Sequence, residues 1–372
     1  KKDRELAMIT YLFTGLFAML IGYFVYFNVA LRPEVINNPY NSRQENFAKR
    51  VVRGELLASD GSVLAKTEVA EDGTETRNYP YGNVFAHVVG YSTRGQTGLE
   101  SLMNFDLLTS NAFLGEQIVK EIREEKNIGD NVITTLDPQL QQTAYNALGN
   151  HRGAVVVMEV ETGNVLAMVS KPDFDPNRVS TDWEVLSEEG NSDGVFYNRA
   201  IQGQYPPGST FKLVTLLEYM RENPDYEDFR FHCGGSLTEG NYTIRCYGKA
   251  AHGDEDLRKA FAKSCNTAFS SIGLSLDEGV FKTNCESLLF NRELPLELPY
   301  SKSAFSLKAG ATPAERMMTA IGQGETLVSP MHMAMIVSAV ANDGVLMEPK
   351  LLERVETYTG ESVKSFYPKA YG

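Results

Sequence analysis

Between Leu6 and Leu31 the chain runs for 26 residues without a charged side chain (LAMITYLFTGLFAMLIGYFVYFNVAL). As a helix rising 1.5 Å per residue this stretch reaches about 39 Å, more than the roughly 30 Å hydrocarbon core of a bilayer. Tyr23, Tyr26 and Phe27 gather near one end, where interfacial aromatics belong. The pattern predicts a single transmembrane helix over 6–31 behind a short tail, 1–5. A cleaved signal peptide would show a shorter apolar stretch and a small-residue cleavage site. Lys1, Lys2 and Arg4 precede the segment, and Arg32, Arg43, Lys49 and Arg50 follow it. The positive-inside count is therefore balanced, and charge does not fix the orientation.

Beyond the apolar stretch the periodicities change. Residues 32–50 are polar and rich in Asn and Pro, the composition of a linker. Residues from Val51 to Asp130 alternate short apolar pieces with Gly and turn signals and predict a small, irregular α+β module. The charged run 116–126 within it reads as a solvated helix face. Two β-branched runs, 154–160 and 165–170, flank Glu161-Thr-Gly-Asn164 and predict a hairpin. Both runs are apolar at nearly every position, so the hairpin is expected inside a sheet covered on both faces. Helical spacing follows at about 210–221, in two pieces over 257–276, and at 330–341. A hairpin followed by helices is the order of an α+β domain, here assigned to 131–372 after a membrane-proximal module at 32–130.

A length of 372 residues allows two or three domains with real cores. The net charge of −13 argues against nucleic acid as a partner, since phosphate-backbone binding rests on clustered Lys and Arg. Four cysteines are too few for a disulfide-stapled scaffold.

Ser209 is the one serine followed three residues later by lysine, in Ser209-Thr-Phe-Lys212 directly after Pro206-Pro-Gly208. Positions i and i+3 share a helix face, so the Lys212 amine is expected beside the Ser209 hydroxyl. Among Phe211, Leu213 and Leu216 that amine would lose hydration and become available as a neutral base. The helix N-terminus suits a developing oxyanion. A plain alternative is that Ser209 is only an N-cap. Ser264-Cys-Asn266, the one S-x-N string, interrupts the 257–276 helical run. A serine and an amide there could relay a proton and hold a substrate carbonyl.

These two motifs, with their surroundings, resemble the class B penicillin-binding proteins, membrane-anchored transpeptidases. The likeness extends over Arg53-Gly-Glu-Leu56, Thr97-Gly-Leu-Glu100, Thr134-Thr-Leu-Asp137, Gly153-Ala154, Thr162-Gly163, Ala167-Met168 and Pro172-Asp-Phe-Asp-Pro-Asn177. It continues through Tyr205-Pro-Pro-Gly-Ser-Thr-Phe-Lys212 and Gly322-Gln-Gly324 with Pro330. Ala58-Ser59 stands where the family usually has Asp-Arg. The family's third motif, Lys-Thr/Ser-Gly, is absent. Lys66-Thr-Glu and Lys282-Thr-Asn are the nearest strings. In this family the motif follows the Gly-Gln-Gly segment by a few dozen residues, so the chain is read as truncated before it, with impaired catalysis.

The resemblance implies a transpeptidase domain with an antiparallel sheet flanked by helices, C-terminally incomplete, and peptidoglycan cross-linking through a serine acyl-enzyme. Ser209 is then the nucleophile, Lys212 its base, Ser264 a proton relay to the leaving group and Asn266 a holder of the stem peptide. β-Lactams would acylate the same serine, and no metal or organic cofactor is implied. A SEDS-family glycan polymerase is the expected membrane partner. The substrate lies outside the membrane, so the N-terminus is expected in the cytoplasm and the body outside. The roughly 100 residues of 32–131 are too few for the glycosyltransferase domain of a class A enzyme. Two further readings are a non-catalytic scaffold of the polymerase, which the missing third motif favours, and a β-lactam sensor or serine β-lactamase, which the 32–130 module opposes. A His-dependent hydrolase lacks the G-x-S-x-G elbow, and no H-E-x-x-H occurs.

Cys233 and Cys246 flank a Gly-rich turn and could meet across a hairpin. A disulfide, free thiols, or zinc bound with His252 and His232 are all open, although Cys233-x12-Cys246-x5-His252 matches no strong zinc motif. Cys265 is expected to pack, and Cys285 has no evident partner.

Overall fold

The computed structural model describes residues 2–26, 50–123, 125–187 and 194–371. The chain opens with the helix Lys2–Tyr26, whose apolar side chains from Met8 to Phe24 are exposed. The span expected over 6–31 is helical as far as Tyr26, and 27–31 lie outside the described residues, as does the linker up to residue 49. Among the described residues no helix is long and apolar enough to cross a membrane.

The rest forms two compact units that do not follow chain order. The first comprises Lys1–Thr134, Phe174–Glu188 and Leu352–Phe366. Its six-stranded sheet runs Ser362–Ser365, Leu352–Glu356, Asn131–Thr134, Leu56–Leu57, Val63–Val69, Glu75–Asn78. The sheet is mixed: Leu56–Leu57 pairs parallel with Val132–Ile133, and the other pairs are antiparallel. Leu56 pairs with Ala65 and with Val132, and all three are fully buried, as are Leu99 and Leu107 in the same unit. Beside it sits a fully buried Glu100 between two arginines: Arg53 Nε donates to Oε2 and Arg77 Nε to Oε1, both at 2.7 Å. Burial pushes the Glu100 carboxyl up, but the two guanidiniums outweigh it and hold the group below the usual carboxylate range. A Cβ at Gly54 would lie 2.0 Å from the Asp130 carbonyl oxygen, so the position after Arg53 must be glycine.

The second unit comprises Thr135–Asp173, Glu189–Leu351 and Tyr367–Gly372. Its hairpin is Gly153–Met158 with Val165–Lys171, close to the sequence expectation. The helix Pro138–Leu148, capped by Asp137, packs on it through Ala144 against Ala167 and Val169. Gln141 is fully buried and bonds both the N–H and the carbonyl of Met168. The two-sided cover expected for both strands holds only for Val165–Lys171. Gly153–Met158 is half-buried at every position, and the sheet consists of these two strands alone among the described residues.

The helical body packs around Phe211, Phe281, Phe290 and Phe305, with ring centroids 5.1–6.4 Å apart. Each ring is buried, so this cluster is the rigid floor on which the nucleophile segment rests. The helix Pro330–Ala341 forms where periodicity placed it, with Ser329 capping and Pro330 in its first turn.

Candidate active site

Tyr205-Pro206-Pro207-Gly208 leads into a short 3-10 turn, Gly208–Phe211, continued by the α-helix Lys212–Glu222. Tyr205 exchanges two backbone hydrogen bonds with Val328, at 2.9 and 3.0 Å. The Gly208 N–H donates to the Gly322 carbonyl at 2.8 Å. Gly322 itself has φ +70°, and a Cβ there would lie 2.0 Å from the Gly208 oxygen. The Gly322-Gln-Gly324 segment thus clamps the turn that presents Ser209, and the close approach requires glycine.

In a 3-10 turn side chains at i and i+3 eclipse. Ser209 and Lys212 stand in that relation, and the Lys212 Nζ lies 3.3 Å from the Ser209 Oγ. The cap position belongs to Pro207 and no side chain caps the turn, so Ser209 is not an N-cap. Ser209 is exposed while Lys212 is 1 % exposed, so the hydroxyl opens to solvent and the amine does not.

The Lys212 Nζ donates to the Ser264 carbonyl at 2.7 Å and to the Asn266 Oδ1 at 2.7 Å, and it lies 3.0 Å from the Ser264 Oγ. Two of these partners can only accept. In the neutral amine they take both hydrogens and leave the lone pair to the hydroxyls of Ser209 and Ser264. Burial pulls the Lys212 ammonium down to about 8, against the opposing pull of Cys265 and Cys246.

Ser264 and Asn266 come from a sharp break between the helices Leu257–Ala262 and Asn266–Ser275. Ser264 adopts φ +50°, the left-handed region, which turns the chain between the two helices. Cys265 caps the second helix, its Sγ accepting from the Ala268 N–H at 3.4 Å. The Asn266 Nδ2 donates to the Arg245 carbonyl at 3.0 Å and keeps a second hydrogen. The structure therefore brings three of the sequence-predicted residues, Ser209, Ser264 and Asn266, around the amine of the fourth, Lys212. Three of them line a cleft of about 430 Å³, together with His252 and Gln323.

Beside that cleft lies the group that the sequence reading named in part, with Cys233, Cys246 and His252 but without Cys265. Cys233, Cys246, Cys265 and His252 converge, with their ligand atoms all within 4.8 Å of one another. Cys233 and Cys246 do meet at the base of the hairpin Ser236–Glu239/Tyr242–Arg245, as free thiols with sulfurs 3.7 Å apart. Cys265, expected merely to pack, is the fourth member. His232 is not one: it is exposed and paired with Asp254 at 2.6 Å. The signal was the cysteine inside the S-x-N string. Its neighbours come from three other segments, which spacing alone does not connect. Cys285 is buried apart from them.

Residues 153–369 match the penicillin binding protein transpeptidase domain, and residues 53–132 match the penicillin binding protein A dimerisation domain. The peptidoglycan D,D-transpeptidase PbpA of Mycolicibacterium smegmatis is 33 % identical over 329 residues, covering 82 % of this chain and 65 % of the relative. The chain thus spans somewhat less than two-thirds of that relative's length. A crystal structure of the D,D-transpeptidase domain of a peptidoglycan glycosyltransferase from Eggerthella lenta superimposes with a TM-score of 0.77 at 32 % identity, covering 87 % of this chain and 77 % of the other. The imipenem acyl-enzyme complex of Mycobacterium tuberculosis penicillin-binding protein A gives a TM-score of 0.78 at 27 % identity, covering 87 % and 78 %.

Proposed function

The chain belongs to the penicillin-binding protein family, and from that premise we propose that it is a serine D,D-transpeptidase that cross-links peptidoglycan stem peptides. The observation that carries this reading is the buried Lys212 amine 3.3 Å from the exposed Ser209 hydroxyl. The Ser209 Oγ attacks the carbonyl of the penultimate D-Ala while its proton passes to the Lys212 Nζ. A positioned base of this kind is worth about 10²–10⁴-fold in rate. The negative charge that develops on the carbonyl oxygen meets the N–H groups at the head of the 3-10 turn.

Ser264, 3.0 Å from the Lys212 Nζ, then returns a proton to the leaving D-Ala amine. Asn266 fixes the amine through its Oδ1 and offers the free Nδ2 hydrogen to the peptide. An amine from a neighbouring stem attacks the acyl-enzyme, releases Ser209 and completes the cross-link. A β-lactam enters the same sequence but leaves the serine acylated; the M. tuberculosis relative is known as an imipenem acyl-enzyme.

The uncharged run of the sequence over 6–31 is the ground for proposing a membrane anchor, with the tail inside and the catalytic unit outside, where the substrate lies. The 53–132 module and the anchor would then contact a SEDS-family polymerase. The domain division at 32–130 and 131–372 belongs to the same proposal.

Labelling with a fluorescent penicillin tests it. The protein forms one covalent band, and Ser209→Ala removes it. No labelling of the wild type favours the non-catalytic scaffold. Rapid turnover of the drug would indicate a β-lactamase.

A further inference from the structure

Three thiols and an imidazole meet behind the cleft, drawn from four separate stretches. Cys233 ends the strand Phe231–Cys233, Cys246 follows the strand Tyr242–Arg245, His252 precedes the strand Gly253–Glu255, and Cys265 sits in the S-x-N break. The Cys233 and Cys246 sulfurs are 3.7 Å apart, and those of Cys246 and Cys265 are 3.8 Å apart. The His252 Nδ1 lies 3.5 Å from the Cys233 Sγ and 3.9 Å from the Cys246 Sγ.

A tetrahedral zinc ion with Zn–S near 2.3 Å and Zn–N near 2.0–2.1 Å has ligand–ligand edges of about 3.8 Å between sulfurs and about 3.5–3.6 Å from sulfur to nitrogen. The Cys233–Cys246, Cys246–Cys265 and Cys233–His252 separations match that tetrahedron, the Cys246–His252 edge at 3.9 Å is somewhat longer, and the two remaining edges lie within 4.8 Å. A single disulfide would join two sulfurs and would not gather a third thiol and an imidazole. The three sulfurs are buried and the His252 side chain is 17 % exposed, so no ligand position opens widely to water.

A second observation points to a cation independently of the thiols. Glu255 is 2 % exposed, neither of its carboxylate oxygens makes a hydrogen bond, and Oε1 lies 3.8 Å from the His252 Nδ1. An unsatisfied buried carboxyl beside the cluster marks a pocket that a further group, such as an ion, completes. Thr267, fully buried, has its Oγ1 3.2 Å from the sulfurs of both Cys233 and Cys265, and the Ala268 N–H points at Cys265. Donors of this kind orient and stabilise metal thiolates.

We propose that Cys233, Cys246, His252 and Cys265 form a structural Zn²⁺ site that braces the Ser264–Asn266 loop. Each thiol releases its proton as its sulfur–metal bond forms, and the imidazole binds through Nδ1. Three thiolates and one divalent ion leave a net single negative charge. Cys265 lies between Ser264 and Asn266, so the ion fixes the backbone from which both contacts to Lys212 arise. The bracing role rests on the transpeptidase reading above; the metal site does not.

Metal analysis of the protein purified under reducing conditions is expected to give about one zinc per chain. Replacement by Co²⁺ is expected to give thiolate-to-cobalt charge-transfer bands and the intense visible bands of a tetrahedral site. Cys246→Ser and His252→Ala lose the metal, while His232→Ala, outside the cluster, keeps it. Stripping zinc from the wild-type protein with a chelator lowers the melting temperature and slows penicillin acylation about 10–100-fold, and zinc re-addition restores both. Protein that is well folded yet binds neither zinc nor cobalt, or gives only the weak bands of octahedral cobalt, overturns the site. Normal metal content with acylation indifferent to its removal overturns the brace. Metal binding in a protein that no penicillin acylates upholds the site and refutes the transpeptidase reading alone.

Discussion

One amine organises the chemistry. Lys212 is 1 % exposed yet holds four oxygen neighbours, and burial brings its ammonium down to about 8. Its sequence context pointed this way: a lysine three residues after a serine, among Phe211, Leu213 and Leu216, is expected on the serine's face and inside, although the spacing alone also suited a serine that is only an N-cap. The detail that spacing could not supply is the pair of obligate acceptors, the Ser264 carbonyl and the Asn266 Oδ1, which aim the lone pair at the hydroxyls. Arginine keeps the charge but remains protonated and presents a planar fork in place of a point donor. Lys212→Arg is therefore expected to retain the fold and lose roughly 10²–10⁴-fold in penicillin acylation rate, measured by stopped-flow labelling. Acylation within a few-fold of wild type would remove Lys212 from the mechanism.

The local elements were largely legible because their signals are local. The helix Pro330–Ala341 carries its own cap and proline, and the two-piece run over 257–276 breaks at Ser264, where φ turns positive. The half-exposure of Gly153–Met158 was not legible, since an apolar run does not say how closely its tertiary neighbours cover it. The clamp between Gly322 and Gly208 shows the same limit: both glycines stand in the sequence, 114 positions apart, but their contact is tertiary. Gly322→Ala puts a methyl where only 2.0 Å separates it from the Gly208 oxygen, at φ +70°. The turn must move, so the expected result is a melting temperature lowered by several degrees, about 1–3 kcal/mol, together with slower acylation. A variant that melts and acylates like wild type would show that the clamp does not set the turn.

At the scale of the whole molecule, the chain makes two units by weaving. The strands Leu352–Glu356 and Ser362–Ser365 return to the sheet begun by Leu56–Leu57, and 174–188 returns to the same unit. Strand partners such as Leu352 and Thr134, 218 residues apart, leave no trace in a local pattern, so a reading in chain order divides the molecule at one point where the structure interleaves it. The motif likenesses fared better, because each marks a point of forced geometry. Arg53-Gly54 and Glu100 are brought together by one buried ion cluster, and Pro207-Gly208 and Gly322 by one clamp. Cys233, Cys246 and His252 could be grouped from the sequence as one open reading, but Cys265 joins them only once three strands and a helix break converge.

The pH dependence of the second-order rate constant for penicillin acylation addresses the central claim, that a deprotonated Lys212 activates Ser209. Because the folded protein holds this ammonium at about 8, below its ordinary 10.5, the active neutral form grows as pH rises. The rate constant is expected to climb about tenfold per pH unit from near pH 6 and to level off above about 8. A rate constant independent of pH across that interval, in protein that stays folded, would contradict the account.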